Sequence, residues 1–190
     1  MRAFAMWAVA VTLLPGMWGV APPSEIDTQK SVMTVRVFKT GLFSAFAHDH
    51  EISAPIRDGK FSETARSVDL TVDARQMRVL DKEVSEKDRS EIQENMLGPK
   101  VLDTAQFPEI RFLSTAFEST GNGRWAVSGN LTLHGQTRPV RLEIQTQNGH
   151  YQGSVQLKQR DFGIEPISIG GGAVKVKNEL RVEFDIVAKR

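Results

Sequence analysis

The stretch that decides the fold of this chain is residues 124–160, RWAVSGNLTLHGQTRPVRLEIQTQNGHYQGSVQLKQR. Apolar and polar residues alternate along it, and two short sequences, Gly135-Gln136 and Asn148-Gly149, interrupt the alternation. Two-residue loops of the Gly-X and Asn-Gly types are strong hairpin signals, because they need positive φ angles that Gly and Asn adopt at low cost. The stretch therefore predicts three antiparallel strands joined by two tight turns.

The positions of these turns predict which residues face each other. A turn at Gly135-Gln136 would pair Leu131 with Val140, Gly129 with Leu142 and Val127 with Ile144. A turn at Asn148-Gly149 would pair Val140 with Leu157, Leu142 with Val155 and Ile144 with Gly153. This register gives the sheet one apolar and one polar face, which a slip of one residue would destroy. Because Gly129 and Gly153 are the smallest members of the apolar face, we expect them to leave the interior thinly filled.

The remaining sequence predicts further strands and one helix. Ser85 and Asp88 form a capping box, Ile92 and Met96 make a narrow apolar stripe, and Gly98 precedes a proline. We therefore expect one α-helix at about residues 86–97, inserted between strands and lying across the sheet. Counting alternating segments gives about eight long antiparallel strands, which form either a sandwich or a barrel. We favour an all-β, eight-stranded antiparallel barrel, since closure removes exposed strand edges.

The N-terminus has the features of an export signal. Arg2 precedes an apolar run at residues 3–14, and Pro15-Gly16 ends that run. We predict a signal peptide at residues 1–21, a single mature domain at residues 22–190, and a periplasmic location. An uncleaved membrane anchor is the alternative, because residues 3–21 approach spanning length, and a cytoplasmic protein is the remaining one.

Composition excludes several classes of function. The chain has no cysteine, so disulfides, lipid attachment at cysteine and thiolate chemistry are unavailable. Its 24 Lys and Arg residues balance 23 Asp and Glu residues, and no basic stripe appears. Nucleic-acid binding, which needs clustered positive charge, is therefore not expected.

Three segments together resemble the YceI-like family of periplasmic lipid-binding barrels. They are residues 102–114 (LDTAQFPEIRFLS), residues 129–140 (GNLTLHGQTRPV) and residues 160–163 (RDFG). The resemblance implies a lipocalin-like barrel that is partly covered by its helix and that holds a polyisoprenoid, a quinone-type lipid or a fatty amide. No catalytic residue is implied, and no cofactor other than such a bound isoprenoid or acyl lipid.

The apolar face of the predicted strands supplies the candidate cavity wall. Its members are Val35, Val37, Phe46, Ile52, Leu70, Ile110, Phe112, Val127, Leu131, Val140, Leu142, Val155, Leu157, Val182 and Phe184.

His48 and His50 are the local feature that departs most from typical relatives. They are two residues apart on a predicted strand, so their rings share a face. They could anchor the polar group of a ligand, chelate a metal ion with a third ligand that the sequence does not supply, or form ordinary structural hydrogen bonds. His134, next to Gly135, is interpreted as a turn residue.

The leading hypothesis is a non-enzymatic periplasmic carrier of a small apolar molecule, without a membrane span in its mature form. The alternative is a metal-binding protein or metal-dependent enzyme centred on His48 and His50. A third hypothesis is a solidly packed barrel that acts as an interaction surface. Homodimerisation stays open.

Overall fold

Antiparallel strands make up most of the computed structural model, which describes residues 23–40, 49–169, 171 and 174–189. One α-helix, α1, spans Glu86–Leu97, and short 3₁₀ turns span Ala74–Gln76 and Gln159–Phe162. The strands are β1 (Ser24–Glu25), β2 (Val32–Thr40), β3 (His50–Ser53), β4 (Ile56–Ser62), β5 (Ser67–Asp73), β6 (Arg78–Val79), β7 (Glu109–Gly121), β8 (Arg124–Leu133), β9 (Gln136–Gln147), β10 (His150–Lys158), β11 (Ser168–Ile169) and β12 (Val174–Val187). No helix in these ranges is long and apolar enough to cross a membrane.

The strands form one curled sheet in the order β1-β4-β5-β7-β8-β9-β10-β12-β2-β3-β6, with β11 beside β12. Strands β3 and β4 are separated by Ala54 and Pro55, and proline cannot donate to a β-ladder. Because β3 pairs with β2 while β4 pairs with β5, this bent segment joins the two ends of the sheet. The N-terminal segment adds a second link, since Ile26 N donates to Gly59 O (2.9 Å) and Asp27 N donates to Val187 O (2.7 Å).

The prediction of an all-β antiparallel barrel with one inserted helix is confirmed. The described residues form twelve strands instead of eight. The difference lies in short segments, because β1, β6 and β11 have two residues each and β3 continues into β4. Such two-residue pieces have no alternating pattern that sequence periodicity could detect.

The predicted register of the first hairpin is wrong by two residues. The turn lies at His134-Gly135, where φ is 50° and 69°, and Leu133 pairs with Gln136. Gly129 therefore faces Val140, and Val127 faces Leu142. Two successive positive φ angles define the turn type that matches the twist of a hairpin, and His is among the residues that tolerate them. Because the slip is an even number of residues, every side chain keeps its predicted face.

The second hairpin forms where predicted, at Asn148-Gly149, and Ile144 pairs with Gly153. Its ladder ends at Glu143 and Ser154, so the other two predicted pairs, Leu142 with Val155 and Val140 with Leu157, are not hydrogen-bonded rungs. The 3₁₀ turn Gln159–Phe162 lies against β9 beyond this point, where Arg138 Nε donates to Asp161 O (2.9 Å).

Helix α1 has the predicted bounds and lies over one end of the barrel. Ser85 Oγ accepts the first-turn bond from Asp88 N (3.1 Å). Met96 is the only helix residue that is fully buried in the described structure, which agrees with the thin apolar stripe. Gln93 attaches the helix to the segment below it, since its amide accepts from Val79 N and donates to Met77 O, both at 2.8 Å.

Candidate apolar binding cavity

The barrel encloses a cavity of about 220 Å³. Fourteen of the fifteen predicted wall residues line it, and the fifteenth, Phe46, lies outside the described residues. Alternation places these side chains inward, because successive residues of a strand point to opposite faces. The predicted apolar face is therefore the inner wall of the barrel.

Residues from outside the long strands also line the cavity, and strand periodicity did not predict them. At the helix-covered end they are Met77, Met96, Val101, Leu102, Phe162 and Ile164. At the other end, the buried Ile26 (2% exposed) lies against β4. Apolar side chains thus form most of the wall and contribute to both ends of the cavity.

Gly129 and Gly153 do not thin the interior as expected from the sequence. A Cβ atom at Gly129 would lie 2.4 Å from Phe112 Cζ, and one at Gly153 would lie 2.7 Å from Phe184 Cζ. Each glycine therefore makes room for an aromatic ring that lies on the wall. The absent side chains are compensated by neighbouring phenylalanines.

Three polar residues appear among the described residues that line the cavity: Tyr151, Lys158 and Gln159. Lys158 is exposed, and Gln159 is buried with its Nε2 donating to Lys177 O (2.8 Å). Both lie toward the helix-covered end, next to the 3₁₀ turn. Tyr151 lies toward the opposite end, just after the Asn148-Gly149 turn.

The Tyr151 hydroxyl is held by a carboxylate. It donates to Glu63 Oε1 at 2.5 Å, and its ring packs on Phe61 with centroids 4.4 Å apart. Burial raises the pKa of Tyr151 above its ordinary value, and the hydrogen bond to Glu63 raises it further. The phenol is therefore neutral in the folded protein over the whole physiological range.

This pKa can be measured without labels, because Tyr151 is the only tyrosine in the chain. We expect phenolate absorbance at 295 nm to appear well above pH 10 in the folded protein and near pH 10 in urea. Since the folded-state pKa is raised, the contribution of this group to stability is complete below about pH 10 and is lost at higher pH. Glu63→Gln should move the transition down, because it removes the negative charge beside the phenolate. Equal transitions in folded and unfolded protein would contradict this environment.

The histidines lie away from the cavity wall where they are described. His50 Nδ1 lies 2.6 Å from Asp81 Oδ2, and Asp81 also accepts from Glu51 N (2.8 Å). The Asp81 side chain is only 3% exposed, so this pair joins β3 to the chain just after β6. His50 is not among the residues that line the cavity, and His48 lies outside the described residues.

The other two histidines have structural contacts. His134 occupies the first hairpin turn, as predicted, and its Nδ1 lies 3.2 Å from Phe162 O. His150 pairs with Asp185 across neighbouring strands, with Nδ1 and Oδ1 2.8 Å apart. Within the described ranges, no group of three or more His, Cys, Asp or Glu residues could hold a metal ion.

An antiparallel barrel with an apolar interior and a helix over one end is the class of protein that these observations define. Residues 25–188 match the YceI-like domain, and the chain belongs to that family. A UPF0312 protein of Shewanella putrefaciens is 28% identical over 187 residues, which cover 92% of this chain and 93% of that protein. A UPF0312 protein of Shewanella denitrificans is 32% identical over 138 residues, or 66% of this chain and 69% of that one.

Solved structures show the same fold. Burkholderia cenocepacia BcnA superimposes with a TM-score of 0.64 at 19% identity, covering 86% of this chain and 99% of BcnA. A Campylobacter jejuni YCEI protein gives a TM-score of 0.51 at 10% identity, covering 100% of this chain and 99% of the other. At these identities the comparison supports the fold alone.

Proposed function

We propose that this protein binds a long apolar molecule inside the barrel and carries or sequesters it. The observation that supports this most strongly is the chemistry of the cavity, whose described wall is apolar except for Tyr151, Lys158 and Gln159. Transfer of apolar surface from water contributes about 25 cal/mol per Å². A long chain in such an interior would bind without any catalytic group.

The family resemblance suggests the chemical class of the occupant: a polyisoprenoid, a quinone-type lipid or a fatty amide. The proposal includes no reaction step. We further propose that residues 1–21 are an export leader and that residues 22–190 act as one domain in the periplasm. The family match begins at residue 25, which agrees with a leader upstream of it. The intact mass of the purified protein reports whether that leader has been removed.

A neutral fluorescent probe tests occupancy of the interior. N-phenyl-1-naphthylamine brightens in apolar surroundings, and we expect it to bind the unmodified protein. Val140→Trp places an indole in the cavity and should weaken binding about tenfold, since losing about 60 Å² of apolar contact has that effect on Kd.

Arg141→Trp provides the matched control, because Arg141 follows Val140 on β9 and points outward. It pairs with Glu118 (2.9 Å) where both side chains are exposed, so little stability is lost with the pair. Probe binding that is weakened equally by both variants, or by neither, would argue against an interior site.

A further inference from the structure

The Tyr151 end of the cavity has an unusual arrangement of hydroxyl groups. The Tyr151 proton is engaged by Glu63, which leaves the lone pairs of the phenol oxygen available as acceptors. Tyr151 is also the only hydroxyl-bearing residue among the described residues that line the cavity. A ligand group that meets this oxygen must therefore donate a hydrogen bond.

Thr146 lies directly opposite Tyr151 in the β9–β10 ladder. Directly opposed residues project their side chains from the same face of a sheet, and on β9 this face also includes Leu142 and Ile144, which line the cavity. Thr146 itself is not among the residues that line the cavity, and its Oγ1 atom is buried behind them with no hydrogen-bond partner in the described structure. Such a group is unfavourable in a folded protein unless another molecule satisfies it.

Glu63 adds a constraint on charge. Its carboxylate accepts from the Tyr151 hydroxyl, so a carboxylate or phosphate bound to the same phenol oxygen would lie close to a like charge. Like charges at such separations repel each other. A neutral donor group, such as an alcohol, a phenol or an amide, is free of this repulsion.

We propose that Tyr151 and Thr146 form the polar end of the cavity and bind a neutral hydroxyl or amide group of the apolar ligand, with Glu63 excluding anionic groups. Tyr151 accepts the ligand's hydrogen bond and Thr146 donates one in return. This assignment rests on the proposed function, and it places the polar contact at the end of the barrel opposite Lys158 and Gln159. In this assignment the polar group of the ligand contacts Tyr151 and Thr146 and not His50, because the Nδ1 atom of His50 is engaged by Asp81.

Three probes with the same chain and different end groups test the assignment. Dodecan-1-ol, 1-methoxydodecane and dodecanoate are used to displace N-phenyl-1-naphthylamine from the protein. The alcohol should bind about fivefold more tightly than the ether, the value of one net hydrogen bond, and more tightly than the carboxylate. Tyr151→Phe should bring the alcohol-to-ether ratio toward one, because only the alcohol donates to the phenol oxygen. Thr146→Val should weaken the alcohol and the ether alike and leave their ratio unchanged, because both ligand oxygens accept from Thr146. Glu63→Gln should improve dodecanoate relative to the ether.

Thr137→Val is the matched control, because Thr137 lies on the same strand with its hydroxyl bonded to Thr132 on the exposed face (2.9 Å). The alcohol-to-ether ratio and both affinities in this variant should equal those of the unmodified protein. A ratio that survives in Tyr151→Phe, or unchanged binding of both the alcohol and the ether in Thr146→Val, would overturn the assignment, as would tight dodecanoate binding or no displacement by the alcohol. Gln159→Met tests whether the polar contact lies at the helix-covered end instead. Loss of the alcohol-to-ether ratio in that variant alone would also overturn the assignment. Failure of the fluorescent probe itself to bind contradicts the proposed function instead.

Circular dichroism and thermal melting of each variant report whether it is folded. The two hydroxyl variants are independent, because Thr146→Val leaves the Tyr151–Glu63 bond and the Phe61 packing in place.

Discussion

Replacing Phe162 by alanine should lower the free energy of unfolding by about 4 kcal/mol and the melting temperature by about 12 °C. Phe162 is 2% exposed, ends the 3₁₀ turn after β10, and lines the helix-covered end of the cavity. Its truncation removes a buried aromatic ring and leaves a void that the surrounding barrel can fill only in part. Urea denaturation followed by circular dichroism measures the change.

Asp161→Ala is the control for this variant, because Asp161 is the exposed neighbour in the same turn and contributes its backbone oxygen to Arg138. It should change stability by no more than about 0.5 kcal/mol. Similar losses in the two variants would show that the turn, and not the buried ring, is responsible.

Gly153→Val should destabilise the protein by about 3 kcal/mol, because the wall has no room for a side chain there. A Cβ atom would lie 2.4 Å from Glu143 O and 2.7 Å from Phe184 Cζ. The ring can rotate away, whereas the carbonyl belongs to the paired strand β9 and cannot. Denaturant unfolding again gives the measurement.

A second substitution separates the two clashes. Phe184→Leu added to Gly153→Val should fail to restore stability, since the conflict with the Glu143 carbonyl remains. Gln156→Val is the control, because this residue lies on the outer face of β10 and is exposed, and its variant should be close to neutral. Full rescue by Phe184→Leu would mean that the ring alone occupies the space above Gly153.

The residues of the cavity wall could be predicted from the sequence, because alternate residues of a strand point to opposite faces and only the inward face had to be identified. An error of two residues in the first hairpin left all faces correct, and the capping residues around Ser85 and Gly98 gave the bounds of α1. Tyr151 could have been included, because it shares the parity of Val155 and Leu157 on β10. Its polar hydroxyl sets it apart from the aliphatic residues of that face.

Other parts of the site could not be predicted from the two-residue alternation of the strands. Met77, Met96 and Phe162 reach the cavity from a loop, a helix and a 3₁₀ turn, whose positions depend on tertiary packing. The partner of Tyr151 is 88 residues away along the chain, and only the folded barrel brings Glu63 to it. The same holds for His50, whose partner Asp81 follows the short strand β6.

Native mass spectrometry of the gently purified protein tests the central claim most directly, which is that the barrel interior holds an apolar molecule. We predict a population whose mass exceeds that of the polypeptide by one lipid-like molecule, and release of that molecule into organic solvent on unfolding. The cavity variant Val140→Trp should carry less of it than Arg141→Trp. A homogeneous polypeptide mass, together with no uptake of N-phenyl-1-naphthylamine by the folded protein, would contradict the account.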